Sequence, residues 1–311
     1  MALVSIVMAA YNAESTIVET VENLLAQTWA DKEIIITNDG STDNTPQILD
    51  NFAKQNPTVV KVIHQKNMGQ SIARNASIAA AKGDFIAFMD ADDIWAKQKI
   101  ARQVQYFADH PDVGLVYTEG MTIDGRGNKL EAFGCSSEFT GNCFKTLFLR
   151  NNIIGSSVMV RKRILDKVGA FTPYLRACEN WELWTRISRE HKIDFIDEEL
   201  AYYRQHDSNM SKNIDWMIDN RIKAVRHNHD QYKNIVPDEE LLTKQAYFMA
   251  YRGFGSVYLG NLDLKKARKY IALALKYNPK SVRTYFWYLQ ACSGKFILKT
   301  IRKLKKLLSS G

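Results

Sequence analysis

Strand-like and helix-like runs alternate along the first hundred residues, and this alternation limits the folds that the chain can adopt. Each of four short apolar runs precedes a segment with helical spacing of its apolar residues, and the runs are VSIVMAAY, KEIIITND, VVKVIHQ and DFIAFMD. Strands that alternate with helices pair in parallel and place helices on both faces of the sheet. The sequence therefore predicts an α/β fold built on a Rossmann-like, mostly parallel sheet.

The rest of the chain divides into two further regions. Residues 114–214 contain three more strand-like runs, VGLVYTEG, GSSVMVRKRILDKVG (residues 155–169) and DFIDEELAYYR, whereas residues 215–311 are wholly helical in pattern. Residues 250–280 have the small and aromatic spacing and the closing Asn-Pro of one tetratricopeptide-like helical hairpin. We predict one domain over residues 1–214, in which 114–214 follow a first half of residues 1–113, and a C-terminal helical subdomain over 215–311.

The net charge of +8 comes from the C-terminal end of the chain. Residues 264–311 contain 13 Lys/Arg and no Asp/Glu, which leaves residues 1–263 with a net charge of −5 (8 − 13). The segment 295–309 is predicted to be a basic amphipathic helix, whose apolar face consists of Ile297, Ile301, Leu304 and Leu308. Such a helix either lies on an anionic membrane surface or docks on the helical subdomain. The tail has no nucleic-acid recognition signature, so we expect no nucleic-acid partner.

The sequence carries no recognisable secretion or membrane signal. The first apolar run has no basic stretch before it and is too short for a signal peptide. No segment reaches the roughly 18 uninterrupted apolar residues of a membrane-spanning helix. The four cysteines form no CxxC pair, so neither a disulfide framework nor a zinc site is indicated. We expect a soluble, cytoplasmic protein that can attach peripherally to the inner face of the cell membrane.

The segment MDADD follows the fourth predicted strand. In an extended segment Asp90 and Asp92 would point to the same side, where two carboxylates could hold a divalent cation with positions left for phosphate oxygens. The alternative is a helix N-cap before IWAKQKIARQVQYF, and we assign that role to Asp93. Ligands of such sheets gather at the carboxyl ends of the strands, where MDADD lies.

Several motifs, taken in their order and spacing, resemble those of the inverting family 2 glycosyltransferases of GT-A fold. They cover about residues 3–212 and read VSIVMAAYNAE, IIITNDGSTDNT, NMGQSIARN, FIAFMDADDIW, GSSVMVRKRILDKVGAF, ENWELWTRI and YRQHDSNMS. The resemblance implies an enzyme of bacterial polysaccharide or glycan synthesis. It also implies that residues 1–113 bind a nucleotide-sugar and that residues 114–214 bind the acceptor.

The resemblance further implies a donor site and a metal site. The donor-site residues are Ala10, Tyr11, Asp39, Arg74, Asp90, Ala91 and Gly155. Tyr11 would stack on the base and Asp39 would accept the uracil imide hydrogen, while the alternatives are a core tyrosine and an Asx turn. Asp90, Asp92 and His206 would hold Mn²⁺ or Mg²⁺. The family usually has a second aspartate at position 38, where this chain has Asn38.

The segment CENWELW departs from the family at the position of the catalytic base. The family usually has Glu-Asp here, with the aspartate as the base, whereas this chain has Asn180, whose amide cannot accept a proton at neutral pH. Glu179 and Glu182 are alternative bases, although neighbouring helical residues point about 100° apart. The chain is then an inactivated variant, a protein that uses a neighbouring acid, or a poor catalyst that mainly binds. Trp181 and Trp184 either stack on a sugar or pack in the core.

These observations predict an inverting, metal-dependent glycosyltransferase. The expected donor is a UDP-sugar, and the expected acceptor is a hydroxyl of a glycan or lipid-linked glycan. A nucleotidyltransferase is disfavoured because the chain lacks a G-x-G-x-R loop near its N-terminus, and it also lacks dinucleotide-binding and P-loop fingerprints. The remaining alternative is a catalytically weakened or inactivated sugar-nucleotide-binding member of the same fold.

Overall fold

The computed structural model describes residues 2–206 and 209–295, and the chain divides into two compact units. The first contains Met1–Leu147 and Asn151–Lys212, and the second contains Phe148–Arg150 and Asn213–Gly311. The division after Lys212 lies next to the boundary expected after residue 214. The short segment Phe148–Arg150 joins the second unit, which the sequence pattern does not indicate.

One sheet runs through the first unit. Within the described residues its strands are β1 (Val4–Ala10), β2 (Lys32–Asp39), β3 (Val60–Gln65), β4 (Phe85–Asp90), β5 (Ile94–Trp95), β6 (Val113–Ile123), β7 (Lys129–Ala132), β8 (Met159–Arg161) and β9 (Lys192–Arg204). The order is β3-β2-β1-β4-β8-β6-β9-β5, with β7 paired to β6. Strands β1 to β4 pair in parallel, as do β6 and β9, whereas β5, β7 and β8 pair antiparallel.

Helices cover both faces of this sheet. Those that the structure describes up to residue 188 are α1 (Ile17–Leu25), α2 (Thr45–Gln55), α3 (Gln70–Ala80), α4 (Lys99–Asp109), α5 (Phe144–Leu149), α6 (Lys162–Val168) and α7 (Glu179–Ser188). Successive strand residues face opposite sides, so Ile6 packs in one buried cluster and Val7 in another. The first cluster includes residues of α1, α2 and α4, and the second includes residues of α3, α6 and α7. The predicted α/β class is confirmed.

The segment after MDADD differs from the prediction. Asp93 does not cap a helix, because strand β5 follows it and α4 begins only at Lys99, with Gln98 at its N-cap. The pairing of β5 with β9 buries Asp93 completely. Its carboxylate accepts hydrogen bonds from the Arg204 backbone N–H, at 3.0 Å, and from the Ser156 hydroxyl. Asp93 therefore joins the D-x-D segment to two distant parts of the first unit.

The second unit is helical, as predicted. Its described helices are α8 (Ile214–Tyr232), α9 (Glu239–Gly260), α10 (Leu264–Tyr277) and α11 (Val282–Cys292). Helices α9 and α10 pack closely, since a Cβ at Gly255 would lie 2.6 Å from Ile271 Cγ1. No helix of the described residues combines the length and apolar character needed to cross a membrane. Of the predicted tail helix 295–309, residues 296–309 lie outside the described residues.

Candidate active site

The carboxyl ends of three adjacent strands bring the predicted donor-site residues together. Ala10, at the end of β1, is in register with Asn38 on β2, and Ala9 is in register with Asp90 on β4. Ala10 is fully buried, so it can offer only its backbone, whereas Tyr11 is 52% exposed. An aromatic ring exposed at this edge is available to stack on a base.

Asp39 lies at the end of β2 and organises the loop that enters α3. Its carboxylate is 3% exposed. Oδ1 accepts hydrogen bonds from Gln65 Nε2 at 2.7 Å and from the Met68 backbone N–H at 2.9 Å, and Oδ2 accepts one from the Gly69 backbone N–H at 2.9 Å. Asp39 therefore has a structural role whether or not it also contacts a nucleotide base.

The neighbouring Asn38 uses both ends of its amide. Nδ2 lies 3.0 Å from His64 Nδ1, and Oδ1 accepts a hydrogen bond from the Ser41 backbone N–H at 3.1 Å. His64 Nε2 in turn lies 2.9 Å from the Asp50 carboxylate. A carboxylate at position 38 could accept from Ser41 but could not donate to His64. The partners of Asn38 thus account for the amide at this position.

Arg74 joins the D-x-D segment to the beginning of α7. The Arg74 side chain is 2% exposed. Its Nη1 donates hydrogen bonds to Glu179 Oε1 at 2.8 Å and to Asn180 Oδ1 at 3.2 Å. Its Nη2 donates a hydrogen bond to the Asp90 carboxylate. Burial by itself lowers the pKa of Arg74, but the Asp90 and Glu179 carboxylates raise this pKa by more, so the net change is upward. Gln70 Nε2 also donates to Glu179 Oε1 at 2.8 Å. Residues from two halves of the first unit therefore meet at one buried cation.

The two acids of the D-x-D segment contact different partners, since Asp90 accepts a hydrogen bond from Arg74 and Asp92 pairs with His206. Strand β4 ends at Asp90, so the extended geometry assumed for the pair stops there, and Asp92 lies in a turn. Asp92 Oδ2 lies 2.8 Å from His206 Nε2. Burial, and then the charge of Asp90, raise the pKa of Asp92, and His206 offsets only part of this change. The Ala91 carbonyl accepts hydrogen bonds from hydroxyls of α1 and its N-cap residue Thr16.

Two of the three predicted metal ligands, Asp92 and His206, are placed to hold a divalent cation together. Within residues 2–206 and 209–295, no group of three or more His, Cys, Asp or Glu side chains is placed to hold a metal. Asp92 and His206 nevertheless present an oxygen and a nitrogen donor at one point, and their side chains are 28% and 29% exposed. A cation held by a few side chains, with phosphate oxygens as further ligands, is the usual arrangement for Mg²⁺ at nucleotides. The donor set fits such a cation, whereas Asp90 is engaged by Arg74.

Gly155 and Asn180 are in close contact. A Cβ at residue 155 would lie 2.7 Å from Asn180 Nδ2, so only glycine leaves room for this amide. Three hydrogen bonds to the next two residues fix the turn that contains Gly155. Trp95 Nε1 donates to the Ser156 carbonyl at 2.7 Å, Gln103 Nε2 donates to the Ser157 carbonyl at 2.8 Å, and the Ser156 hydroxyl donates to Asp93. The supporting roles of Trp95 and Gln103 could not be predicted from the sequence, because they depend on long-range contacts.

The remaining candidates of CENWELW are buried. Glu182 has no exposed surface and forms a two-point ion pair with Arg186, with both distances 2.8 Å. Its surroundings favour a structural role over that of a base. Trp181 and Trp184 are 2% and 0% exposed, and the Trp184 ring packs edge-on against Phe88 at 5.3 Å between centroids. Both tryptophans therefore belong to the core and do not present a face to a sugar.

A Rossmann-like sheet with an aromatic residue and a D-x-D segment at its strand ends, and with a buried arginine of α3 beside them, is typical of a glycosyltransferase of GT-A fold. Residues 5–169 match the model of the family described as "Glycosyl transferase family 2". The chain belongs to this family.

Named relatives and solved structures agree with this assignment. Over 225 residues the chain is 33% identical to WfaP of Escherichia coli, named UDP-Glc:alpha-D-GlcNAc-diphosphoundecaprenol beta-1,3-glucosyltransferase, and the match covers 68% of this chain and 81% of WfaP. TarS of S. aureus in complex with UDP-GlcNAc has a TM-score of 0.65 at 18% identity, covering 88% of this chain and 80% of TarS. The mannosyltransferase PcManGT of Pyrobaculum calidifontis, in complex with GDP-Man and Mn²⁺, has a TM-score of 0.60 at 16% identity, covering 94% and 84%. At such identities the two structures support the fold alone.

Other relatives extend beyond the matched region. The match covers 66% of a glycosyltransferase from Nostoc and between 29% and 36% of three longer Rickettsia proteins. The activities and partners of those whole proteins are therefore not transferred to this chain.

Proposed function

We propose that the chain is an inverting, metal-dependent glycosyltransferase that moves a sugar from UDP to a hydroxyl of a glycan acceptor. The observation that carries the proposal is the position of Arg74, which contacts Asp90 of the D-x-D segment and Glu179 and Asn180 of α7. The Arg74 side chain thereby contacts both the D-x-D segment, which is the predicted donor motif, and the first turn of α7, which is the predicted acceptor motif. A displacement reaction needs this proximity, because the attacking hydroxyl and the sugar must be aligned.

The donor half would bind the nucleotide through residues at the strand ends. Tyr11 offers an exposed ring for stacking on uracil, and Asp39, which would accept the uracil imide hydrogen, ends the neighbouring strand β2. Asp92 and His206 would hold the divalent cation. When bound, such a cation supplies Lewis-acid stabilisation of the charge that develops on the leaving diphosphate.

The acceptor half would orient the attacking hydroxyl. Asn180 can donate and accept hydrogen bonds but cannot remove the proton, so a carboxylate must serve as base in an active enzyme. Glu179 adjoins it, although its Oε1 already accepts hydrogen bonds from Arg74 and Gln70. The alternative function is a catalytically weakened or inactivated member that binds a sugar nucleotide, and the amide at position 180 is the observation that favours it.

The name of one relative bears on the acceptor and on where the acceptor lies. The name of WfaP specifies a glycan carried on diphosphoundecaprenol, and this supports a lipid-linked glycan as the acceptor here. Such an acceptor places the protein at the inner face of the cell membrane, with contact through the basic segment 295–309. The pI of about 9.1 suits an anionic surface.

A binding and transfer experiment tests the proposal. UDP-sugars and GDP-mannose should be compared by thermal shift with and without Mn²⁺, since a ligand that binds the folded state raises its melting temperature. Tyr11→Ala should weaken UDP binding by about 1 to 3 kcal/mol, the usual contribution of a base stacked on an aromatic ring. Tyr11→Phe should preserve binding, and Tyr174→Ala, another exposed tyrosine of the first unit, serves as the control. Metal-dependent UDP-sugar binding without transfer would favour the weakened member, and no nucleotide-sugar binding would contradict both functions.

A further inference from the structure

Helix α11 of the second unit presents an apolar face to solvent. Val282 is 81% exposed, Leu289 is 66% exposed, and Tyr285 and Phe286 are 47% and 51% exposed. These four residues are spaced at i, i+3, i+4 and i+7, so they share one side of the helix, whereas Ala291 on another side is fully buried. We call Val282, Tyr285, Phe286 and Leu289 the α11 outer face.

The charged residues in the sequence that leads into and through α11 are all basic. From Leu264 to Lys295 the sequence has eight Lys/Arg and no Asp/Glu. Arg283 follows the first residue of the α11 outer face, and its Cζ lies 5.3 Å from the centroid of the Trp287 ring. The acidic residues of this unit precede that segment: they lie on α8, as Asp215 does, at the start of α9, as Glu240 does, and at the N-cap of α10, which is Asp263. The exposed apolar face of α11 therefore lies within a segment whose charged residues are all basic.

We infer that the α11 outer face binds the surface of an anionic lipid membrane. Apolar side chains of an interfacial helix enter the boundary between head groups and acyl chains, and tyrosine rings favour the head-group level. Lysine and arginine near such a surface are each attracted to anionic lipids. The combination of Val282 and Leu289 with Tyr285 and Arg283 on one helix supplies all three contributions.

Two other occupants fit this face less well. A second copy of the chain would bring a like-charged helix against it, and four side chains offer little of the roughly 800 Å² that each partner of a stable dimer buries. The segment 296–311 carries five Lys/Arg and no Asp/Glu, so it would bring like charge to the same place. Anionic lipid is the occupant of complementary charge.

Vesicle flotation of the full chain, without nucleotide, tests the inference. We expect binding to vesicles with roughly 30% phosphatidylglycerol, little binding to pure phosphatidylcholine, and weaker binding at high salt. The variant Val282→Ser/Tyr285→Ser/Leu289→Ser should lower the partition coefficient on anionic vesicles by on the order of tenfold. The control Ile235→Ser/Leu241→Ser removes two similarly exposed apolar side chains of the same unit, which are 54% and 55% exposed. This control should leave the partition coefficient on anionic vesicles within about twofold of the wild-type value.

A second variant keeps the test decisive if the triple variant fails to fold. Arg283→Glu alters an exposed residue and should weaken binding to anionic vesicles while leaving the melting temperature unchanged. The inference is overturned if the folded triple variant and Arg283→Glu both bind as the wild type does. It is also overturned if light scattering finds a dimer that the triple variant dissociates with vesicle binding unchanged, because a second copy is then the occupant. Since no nucleotide-sugar takes part, this result is independent of the proposed transfer reaction.

Discussion

Arg74 Nη1 lies 3.2 Å from Asn180 Oδ1, so the amide at the expected position of the base accepts a hydrogen bond from a buried guanidinium. The other end of the amide, Nδ2, faces Gly155. The hydrogen bond from Arg74 orients the amide, and the absence of a side chain at Gly155 leaves room for its Nδ2 end. Asn180 is well placed to orient a hydroxyl and chemically unable to deprotonate it.

Asn180→Asp should raise the rate of transfer. The side chains have nearly the same shape, and the carboxylate adds the basic oxygen that the amide lacks. A positioned base contributes roughly 10²- to 10⁴-fold, so kcat should rise by that order, with little change in the dissociation constant of the donor. Single-turnover transfer from a UDP-sugar and isothermal titration with UDP measure the two quantities.

The neighbouring acid provides the control for this prediction. If Asn180→Asp has no effect on transfer while Glu179→Gln inactivates the enzyme, the base is Glu179. Glu182→Gln should act mainly on stability, because this carboxylate is buried against Arg186.

Gly155→Ala should reduce transfer more than it reduces stability. The new methyl group would lie 2.7 Å from Asn180 Nδ2, and the end of a side chain can move aside at little cost to the fold. A small displacement of an orienting group can lower kcat by roughly 10²-fold. Gly125→Ala, at a glycine with open space around it, is the matched control. In the Asn180→Ala background the same change should have little further effect on kcat.

Asp92→Ala and His206→Ala should remove the response to a divalent cation. Both side chains meet at one point, so loss of either leaves an incomplete set of ligands. Metal-dependent transfer should fall by on the order of 10²-fold or more, and Mn²⁺ should no longer add to the thermal shift caused by UDP. Asp112→Ala, on an exposed residue, should retain both responses. Turnover by Asp92→Ala that persists in EDTA would show that this residue does not serve a required metal.

Arg74→Met should destabilise the first unit as well as inactivate the enzyme. Removing the guanidinium leaves the Glu179 carboxylate, 4% exposed, without its cationic partner, and breaking such a buried pair costs about 3 kcal/mol or more. Urea unfolding measures the change, and a second substitution, Glu179→Gln, should recover part of it. Lys192→Met breaks an exposed ion pair and should leave the urea midpoint nearly unchanged. An unchanged midpoint for Arg74→Met would contradict this account of the pair.

The sequence predicts the sheet well because its strands are local apolar runs. The runs containing Ile6, Ile35 and Phe88 are all buried strands, and their alternation with helices specifies parallel pairing. Residues 155–169 were assigned to a strand-like stretch, but they form the short strand β8 and then helix α6. Lys162, the first residue of α6, lies in a run whose apolar residues match both the strand period and the helix period. Periodicity alone therefore does not distinguish a strand from a helix here.

The site is harder to predict because it is built from contacts between distant residues. Asp90 contacts Arg74 and Asp92 contacts His206, and these partners depend on where β4 ends. The spacing of the D-x-D motif does not specify the end of the strand. The burial of Asp93 depends on β5, a strand of two residues that has no signal of its own. The pairing of Arg74 with Glu179 spans 105 positions in the chain, and only the assembled fold brings the two together.

The single guanidinium of Arg74 also sets a rule for recombining such enzymes. A chimera that takes the proposed acceptor-binding segment, residues 114–214, from another member inherits a new first turn of α7, while Arg74 remains with the parent that supplies residues 1–113. Such a hybrid keeps the contacts of Arg74 only if the incoming turn has an oxygen that can accept a hydrogen bond at the positions of Glu179 and Asn180. We therefore expect hybrids that lose this contact to be impaired, and libraries of hybrids can be filtered on it before any is expressed.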